Sequence, residues 1–213
     1  MKFNFENFYI LRESFGEYQT NCYILCSNNQ SIIIDPGINA TSWVLKNVTN
    51  PLAILNTHGH FDHIWSNYEL QTKLNIPLIC PKEDSFMLLS DCFSTGLTPS
   101  TPDILIDDTN NNKFLGDFEI SFLHFPGHTP GCNVIVANHK QNKEEKVMFS
   151  GDFIFYRSIG RSDFPYSNTQ DMIDSLKRFL NITDDMPIFP GHGKETSIKK
   201  EQVNIPYWIN RLT

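Results

Sequence analysis

Short apolar runs separated by turn signals dominate the chain. In its first third, residues 5–11, 22–26 and 31–34 are predicted strands, and the turn Asp35-Pro36-Gly37 ends the last of them. The later runs that predict strands are 52–55, 77–80, 114–125, 133–137, 147–149 and 188–189. Strands are therefore expected along the whole length of the chain.

Helical periodicity lies between these strands. The predicted helices are 40–48, which would bury Trp43 and Val44, 64–74, which would begin near Asp62, and 82–89. The clearest is 168–180, where Asn168 can cap the helix. Its single apolar stripe comprises Met172, Ile173, Leu176, Phe179 and Leu180.

Two polar segments show neither the strand pattern nor the helical periodicity of apolar residues. Residues 91–112, rich in Ser, Thr, Pro, Asp and Asn, are predicted to form a long loop, and residues 139–146 a surface turn. The order of elements predicts sheets covered by helices, with polar motifs at strand ends. We expect one domain over residues 1–213, long enough to bury roughly 70% of the unfolded surface.

Charge and composition indicate which partners this protein can bind and in which cellular compartment it is expected. The net charge of -7 argues against a nucleic-acid partner, which usually requires a basic face. The first residues do not resemble a signal peptide, and no apolar run approaches the ~20 residues of a membrane span. Five cysteines without a CxxC pair predict free thiols, with Cys22 and Cys26 buried in a strand. A cytoplasmic protein without membrane contact is therefore expected.

Residues 57–63, THGHFDH, carry the strongest chemical signal. Three of the seven histidines and one aspartate fall within six consecutive positions. Neutral imidazole and carboxylate are the ligands that a borderline divalent cation prefers. His58 and His60 share a face if the segment is extended, whereas a helix starting near Asp62 would redirect Asp62 and His63 sideways. The motif therefore predicts that one segment serves two neighbouring metals.

Three further polar motifs each follow a predicted strand. FPGHTPGC contains His128, SGDFIF contains Asp152, and FPGHG contains His192. Glycines beside a ligand allow sharp turns and close approach of a metal. Each motif alone is weak, but four of them at strand ends together predict a metal centre. The two remaining histidines, His124 and His139, are interpreted as structural and surface residues, respectively.

With these motifs in this order, the chain resembles the metallo-β-lactamase superfamily, and within it the glyoxalase II-like (hydroxyacylglutathione hydrolase-like) branch. The family pattern is THxHxDH, then a GHTxG histidine, a GD aspartate and a late GH histidine, all present here. The resemblance implies an α/β (α+β) fold, a four-layer αββα sandwich in which two mixed sheets are flanked by helices.

The resemblance also implies a dinuclear metal centre, with ligands carried over by position. Metal 1 would take His58, His60 and His128, metal 2 would take Asp62, His63 and His192, and Asp152 would bridge both. Two divalent ions are expected, with zinc as the first choice and iron or manganese as alternatives. Two cations about 3.5–4 Å apart would generate a bridging hydroxide that attacks a carbonyl, which makes Asp62 and Asp152 catalytic candidates.

The implied substrate is a small acyl-thiol, a thioester of the S-lactoylglutathione type, hydrolysed by a monomer or small homo-oligomer. In glyoxalase II a basic residue at the position of Arg161 helps to hold glutathione, so Arg161 is the leading substrate contact. Tyr156 and Arg157 are weaker candidates, and an ion pair of either arginine with Asp163 or another acid is the structural alternative. Full-length glyoxalase II also has a helical C-terminal extension for glutathione, whereas 21 residues follow His192 here.

Two other activities of this fold stay open. A persulfide dioxygenase would use one iron, here held by His58, His128 and Asp152. A lactonase would need a pocket that admits a cyclic ester. Class B β-lactamases are disfavoured because they typically have Cys at the position of Asp152. Flavodiiron proteins are disfavoured because they typically have Glu at the position of His60. The acidic net charge argues against RNase Z-like nucleases. Asp35 is interpreted as structural or as ordering a metal ligand by a hydrogen bond.

Overall fold

The computed structural model describes residues 1–213 and places most strands in two large sheets. The first sheet contains seven strands in chain order. They are β1 (Lys2–Asn4), β2 (Tyr9–Phe15), β3 (Thr20–Ser27), β4 (Gln30–Ile34), β5 (Pro51–Leu55), β6 (Leu78–Pro81) and β7 (Ile104–Ile106). Neighbours are antiparallel from β1 to β4 and parallel from β4 to β7, so this sheet is mixed.

The second sheet is also mixed and is built from the second half of the chain. Its strands are β8 (Asn112–Leu115), β9 (Phe118–His124), β10 (Asn133–His139), β11 (Asn142–Gly151), β14 (Pro187–Pro190) and β15 (Thr196–Ser197). The spatial order is β15-β14-β11-β10-β9-β8, with β11 and β14 parallel. A separate hairpin of β12 (Ile154–Phe155) and β13 (Ser158–Ile159) follows β11.

Seven α-helices cover the outer faces of the two sheets. They are α1 (Thr41–Asn47), α2 (Phe61–Ile64), α3 (Asn67–Leu74), α4 (Ser85–Leu89), α5 (Thr169–Phe179), α6 (Ile198–Gln202) and α7 (Ile205–Leu212). Apolar residues of α1–α4 pack on the first sheet, and those of α5–α7 pack on the second. The four-layer αββα sandwich is therefore confirmed. None of these helices combines the length and apolar character that crossing a membrane requires.

The central core lies between the two sheets, where side chains from both inner faces meet. The ring of Tyr23 packs 5.2 Å from that of Phe149 and 5.8 Å from that of Phe189, centroid to centroid. On the outer face of the second sheet, the predicted stripe of α5 is buried except for Leu180, which is 37% exposed. Asn168 caps α5 as predicted, because its side chain accepts a hydrogen bond from the Asp171 amide at 3.0 Å.

Three predicted strand and helix boundaries were wrong because a local turn interrupts each apolar pattern. Residues 5–11 are broken by a turn in which the Phe5 amide donates to the Phe8 carbonyl at 2.9 Å. Residues 114–125 form the hairpin β8–β9, which turns at Gly116 with φ +57°. The predicted helix 64–74 is split because the Ser66 amide donates to the Pro36 carbonyl instead of continuing the helix.

Two predictions about polar segments were correct only in part. Residues 91–112 are largely irregular but contain β7, whose three residues extend the first sheet by pairing with β6. Within residues 139–146, only the exposed Lys140 and Gln141 form a turn, and the other residues belong to the strands of the β10–β11 hairpin. His139, interpreted as a surface residue, is only 2% exposed, with Nε2 3.0 Å from the Ser27 hydroxyl. Cys22 and Cys26 are buried and free, as predicted.

Candidate metal centre

The predicted metal-binding motifs all lie just beyond the ends of strands, at one edge of the sandwich. THGHFDH follows β5, and His60 precedes the first residue of α2. The loop carrying His128 joins β9 to β10, Asp152 directly follows β11, and His192 follows β14. Because β11 and β14 are parallel neighbours, the side chains after their carboxyl ends emerge at the same edge.

The structure brings all seven predicted ligands together in two groups. The ligand atoms of His58, His60 and His128 lie within 4.8 Å of one another, as do those of Asp62, His63 and His192. Asp152 lies between the groups. Its Oδ1 is 3.2 Å from Nε2 of His63, and its Oδ2 is 3.4 Å from Nε2 of His128 and 3.3 Å from Nε2 of His192.

Hydrogen bonds on the outer side of the cluster orient four of the five imidazoles. The Nδ1 atoms of His58, His63, His128 and His192 lie 2.7–3.0 Å from Thr57 Oγ1, Asp35 Oδ2, the Arg161 carbonyl and the Tyr18 carbonyl, respectively. A proton on Nδ1 satisfies each of these contacts, so that in the neutral ring the lone pair of Nε2 faces the cluster. This arrangement is typical of histidine metal ligands, whose outer nitrogen is held by a protein oxygen.

Three inward-facing atoms are buried without a hydrogen-bond partner: His58 Nε2, His63 Nε2 and Asp152 Oδ1. Buried polar atoms are nearly always paired, so three orphans in one cluster indicate a ligand that completes them. A divalent cation is that ligand, because imidazole nitrogen and carboxylate oxygen are the donors it accepts. The residues present therefore fit a metal centre.

Asp35 lies on the outer side of the cluster and orients Thr57 and His63. Its Oδ1 accepts from the Thr57 amide at 2.8 Å, and its Oδ2 accepts from the Thr57 hydroxyl at 2.6 Å and faces His63 Nδ1. Asp35 also forms a third possible ligand group with His58 and His63. Because both of its oxygens already accept hydrogen bonds, we assign it the orienting role expected from the sequence.

The sequence analysis did not identify Asp84 as a residue of the site. Its side chain accepts hydrogen bonds from both loops that carry the first histidine group. Its carboxylate is buried and accepts from the Gly59 amide at 2.9 Å, the Thr129 hydroxyl at 2.6 Å and the Gly131 amide at 2.6 Å. Burial raises the pKa of Asp84, and the hydrogen bond from Thr129 opposes that shift. Asp84 lies three residues after the end of β6, within the segment predicted as the helix 82–89, and no motif there marked it as part of a site.

Gly191 shows how closely the backbone packs around the site. A Cβ at this position would collide with Asp152 Oδ1 and lie 2.6 Å from Cε1 of His63. Any side chain here would displace two of the predicted ligands. The glycine of the FPGHG motif is therefore required for the close approach of the backbone to the cluster.

His58 and His60 are held neutral by their surroundings. Burial and the neighbouring His63 ring lower the pKa of His58 well below its usual value. Burial and the adjacent His128 ring lower the pKa of His60 to about 3. Both imidazoles therefore have unprotonated nitrogen available for a metal across the physiological pH range.

His63 and His192 of the second group instead hold protons. Burial acts to lower the pKa of His63, but Asp152 and Asp62 together raise it well above its usual value. Burial likewise opposes ionisation of His192, yet Asp152 raises its pKa. Asp152 shows the reverse: burial acts to raise its pKa, but His63 and His192 bring it well below the usual value.

We expect metal binding by the second group to depend more steeply on pH than binding by the first. His63 and His192 keep their protons until the pH rises through their raised pKa values, so a metal must displace those protons. Affinity should then increase up to about tenfold per pH unit for each proton displaced. Competition with a chelator at pH 6, 7 and 8 measures this slope, after correction for protonation of the chelator.

Single-group variants separate the two slopes. His192→Ala disables the second group, and His60→Ala disables the first. The His60→Ala protein should show the steeper gain in affinity with pH. Equal slopes in the two variants would contradict the assignment of protons to the second group.

The cluster forms the floor of a cleft of about 320 Å³. The residues that line it are Tyr18, His60, Phe61, Asp62, Phe93, His128, Asp152, Phe164, Pro165 and His192. The cleft opens to solvent directly above the residues predicted to bind metal, so a small molecule could reach them.

The three predicted substrate contacts lie outside this lining. The guanidinium of Arg161 is 62% exposed, forms a bidentate pair with Asp163 at 2.8 Å, and lies 4.1 Å from the centroid of the Phe164 ring. The Tyr156 ring is covered by Lys194 at 3.9 Å. The Arg157 amide donates to buried Glu201 at 2.8 Å. Arg161 thus stands at the rim, and substrate contact by all three stays a prediction.

Comparisons with known proteins agree with this geometry. The family model described as "Metallo-beta-lactamase superfamily" matches residues 15–192. "Probable metallo-hydrolase YqgX" of Bacillus subtilis is 30% identical over 90% of this chain and 93% of its own. "Hydroxyacylglutathione hydrolase GloC" of Haemophilus influenzae is 32% identical over 89% of this chain and 93% of its own.

Two solved structures extend the comparison. The BLEG-1 B3 metallo-β-lactamase superposes with a TM-score of 0.80 at 30% identity, covering 93% of this chain and 98% of its own. TTHA1623 in a di-iron-bound form superposes with a TM-score of 0.73 at 27% identity, covering 92% and 99%. With the αββα fold, the clustered histidines and aspartates, and the family match over most of its length, this chain belongs to the metallo-β-lactamase superfamily as a metal-dependent hydrolase.

Proposed function

We propose that this protein hydrolyses small acyl thioesters of the S-lactoylglutathione type with the help of two divalent metal ions, zinc being the first candidate. The observation that carries the proposal is the convergence of two groups of ligand-type side chains on Asp152 at the floor of an open cleft. Similarity to the hydroxyacylglutathione hydrolase GloC supports the thioester as substrate. The di-iron form of TTHA1623 makes iron the second candidate metal.

The protein's own residues would position the reacting groups. When bound, two divalent cations supply a water of lowered pKa and polarise the acyl carbonyl. Asp152 would hold both metal sites together, since its two oxygens face histidines of different groups. Asp62 is fixed by the Thr20 hydroxyl, which donates to its Oδ2 at 2.6 Å, and would present its carboxylate to the cleft. A thiolate leaves readily, so a strong general acid is not required.

Arg161 remains the proposed contact for a carboxylate of the carrier thiol. Its present partner, Asp163, is as exposed as Arg161 itself. An exposed ion pair contributes little to stability, so a substrate carboxylate can replace Asp163 at little cost. The bidentate geometry seen with Asp163 is also the one that a substrate carboxylate would adopt.

The decisive experiment is hydrolysis of S-D-lactoylglutathione by the metal-loaded protein, followed as loss of the thioester absorbance. We expect turnover that a chelator abolishes and that added metal restores. Arg161→Ala should raise KM several-fold at nearly constant kcat, because an exposed ionic contact contributes mainly to binding. Arg211→Ala, an exposed arginine on α7, is the matched control and should leave both constants unchanged.

Hydrolysis of β-lactams is a second candidate despite Asp152 at the position where class B β-lactamases typically have Cys, because BLEG-1 matches over nearly the whole of both chains. Nitrocefin in the same assay tests it. Turnover of nitrocefin without turnover of any thioester would replace the thioesterase proposal. Oxygen uptake with glutathione persulfide, again without thioester hydrolysis, would instead support the persulfide dioxygenase that holds one iron.

A further inference from the structure

The cleft above the metal-binding cluster has an aromatic wall. The ring of Phe61 lies 5.4 Å from that of Tyr18 and 6.2 Å from that of Phe93. Phe93 and Phe164 in turn lie 5.5 Å and 6.0 Å from the ring of His60. Tyr18 and Phe164 are 56% and 38% exposed, so their faces meet solvent at the mouth. Exposed aromatic surface gathered around a cleft is typical of a ligand site.

The lining contains no lysine or arginine. Its two carboxylates, Asp62 and Asp152, both belong to the predicted ligand set, and its three histidines do as well. The remaining lining residues are neutral: Tyr18, Phe61, Phe93, Phe164 and Pro165. A charged group placed against these neutral side chains would lose hydration without gaining an ion pair, which is costly. The wall therefore favours an uncharged, apolar group.

We infer that this cleft is an acyl-binding site that selects apolar aliphatic or aromatic acyl groups, while the charged carrier thiol stays outside, beyond the rim at Arg161. This inference rests on the proposed thioester hydrolysis and names the part of the substrate that the cleft recognises. Its volume of about 320 Å³ is at the small end for ligand sites, which suits a short acyl chain but not a complete glutathione thioester.

A series of thioesters on one neutral thiol tests the inference. Acetyl, butyryl, hexanoyl and phenylacetyl thioesters of N-acetylcysteamine differ only in the acyl group, so the carrier contributes equally to each. Burial of one methylene corresponds to about a fourfold gain in kcat/KM, so hexanoyl should exceed acetyl by about 10²-fold. The lactoyl thioester of the same thiol, with its polar hydroxyacyl group, should be a poorer substrate than the hexanoyl thioester.

Variants of the aromatic wall test whether this acyl-chain selectivity arises in the cleft. Phe93→Ala and Phe164→Ala should each lower the hexanoyl-to-acetyl ratio by about tenfold. Phe114→Ala is the matched control, because this phenylalanine is 75% exposed on β8 and does not line the cleft. The control should keep the wild-type ratio.

A second readout does not depend on turnover. Hexanamide cannot be hydrolysed readily and carries no charge, so saturation-transfer NMR on the metal-loaded protein reports its contact with the cleft directly. The signal should be strong for the wild type and for Phe114→Ala, and should weaken in Phe93→Ala and Phe164→Ala. Acetamide should give little signal in any of them.

The outcomes separate this inference from the proposed function. No hydrolysis of any thioester by the metal-loaded protein would overturn the thioesterase proposal. Hydrolysis with acetyl or lactoyl substrates equal to or better than hexanoyl would leave the thioesterase standing and overturn the apolar acyl site. A chain-length preference that Phe93→Ala and Phe164→Ala do not change would also overturn it, because selection would then lie elsewhere.

Discussion

Replacing Asp152 with alanine is expected to remove bound metal and to lower kcat/KM for the thioester by more than about 10²-fold. Loss of a residue that merely orients a metal ligand typically costs 10–100-fold, and Asp152 faces both histidine groups directly. Without its charge, His63 and His192 also lose the carboxylate that raises their pKa values. Metal content by elemental analysis and thioester turnover measure the two effects.

The control for Asp152→Ala is Asp174→Ala, which removes an exposed aspartate on α5 that pairs only with surface residues. It should keep full metal content and activity. Retention of two metal ions per chain by Asp152→Ala would contradict its assignment as the bridging ligand. Loss of activity with metal retained would instead limit Asp152 to a role in the reaction itself.

Replacing Asp84 with alanine is expected to lower the free energy of unfolding by about 3 kcal/mol. The substitution leaves the Gly59 amide, the Thr129 hydroxyl and the Gly131 amide buried without an acceptor, at about 1–3 kcal/mol for each unpaired group. Relief of the buried carboxylate, whose pKa is raised by burial, offsets part of this cost. For a chain of this length, the melting temperature should fall by roughly 6–12 °C.

Metal affinity should fall with stability in Asp84→Ala, because the loops that carry His60 and His128 are both anchored on this carboxylate. We expect a loss of about 10–100-fold, measured by competition with a chelator. Glu83→Ala, the exposed neighbour, is the matched control and should change neither quantity. An unchanged melting temperature in Asp84→Ala would show that water replaces the carboxylate as acceptor.

The elements with the strongest local signals were predictable from the sequence. The cap at Asn168 and the apolar stripe of α5 depend on residues within one helix, so local periodicity was sufficient. The motif THGHFDH indicated metal binding because it concentrates imidazole and carboxylate side chains, which suit such a cation whatever the fold. The strand-end positions of His128, Asp152 and His192 followed from short apolar runs directly before them.

Boundaries set by contacts distant in sequence were not predictable. The break between α2 and α3 depends on the bond from Ser66 to Pro36, and β7 exists because β6 offers it a parallel edge. His139 lies in a polar segment that was predicted as a turn, but it is the last residue of β10 and its side chain contacts the hydroxyl of Ser27. Pro36, the residues of β6 that pair with β7, and Ser27 each lie at least 25 residues away from the residue they contact, beyond any local pattern.

Some features of the candidate site were likewise predictable from the sequence, and others depend on the tertiary structure. Residue types and their spacing predicted a metal centre, and the family resemblance that they carry implied the αββα fold and the seven ligand candidates. Only the tertiary structure decided that Asp84 anchors two ligand loops, that Arg161 lies at the rim paired with Asp163, and that the wall of the cleft is uncharged and aromatic. These properties arise from which side chains face one another across loops, and that arrangement exists only once the two sheets have packed.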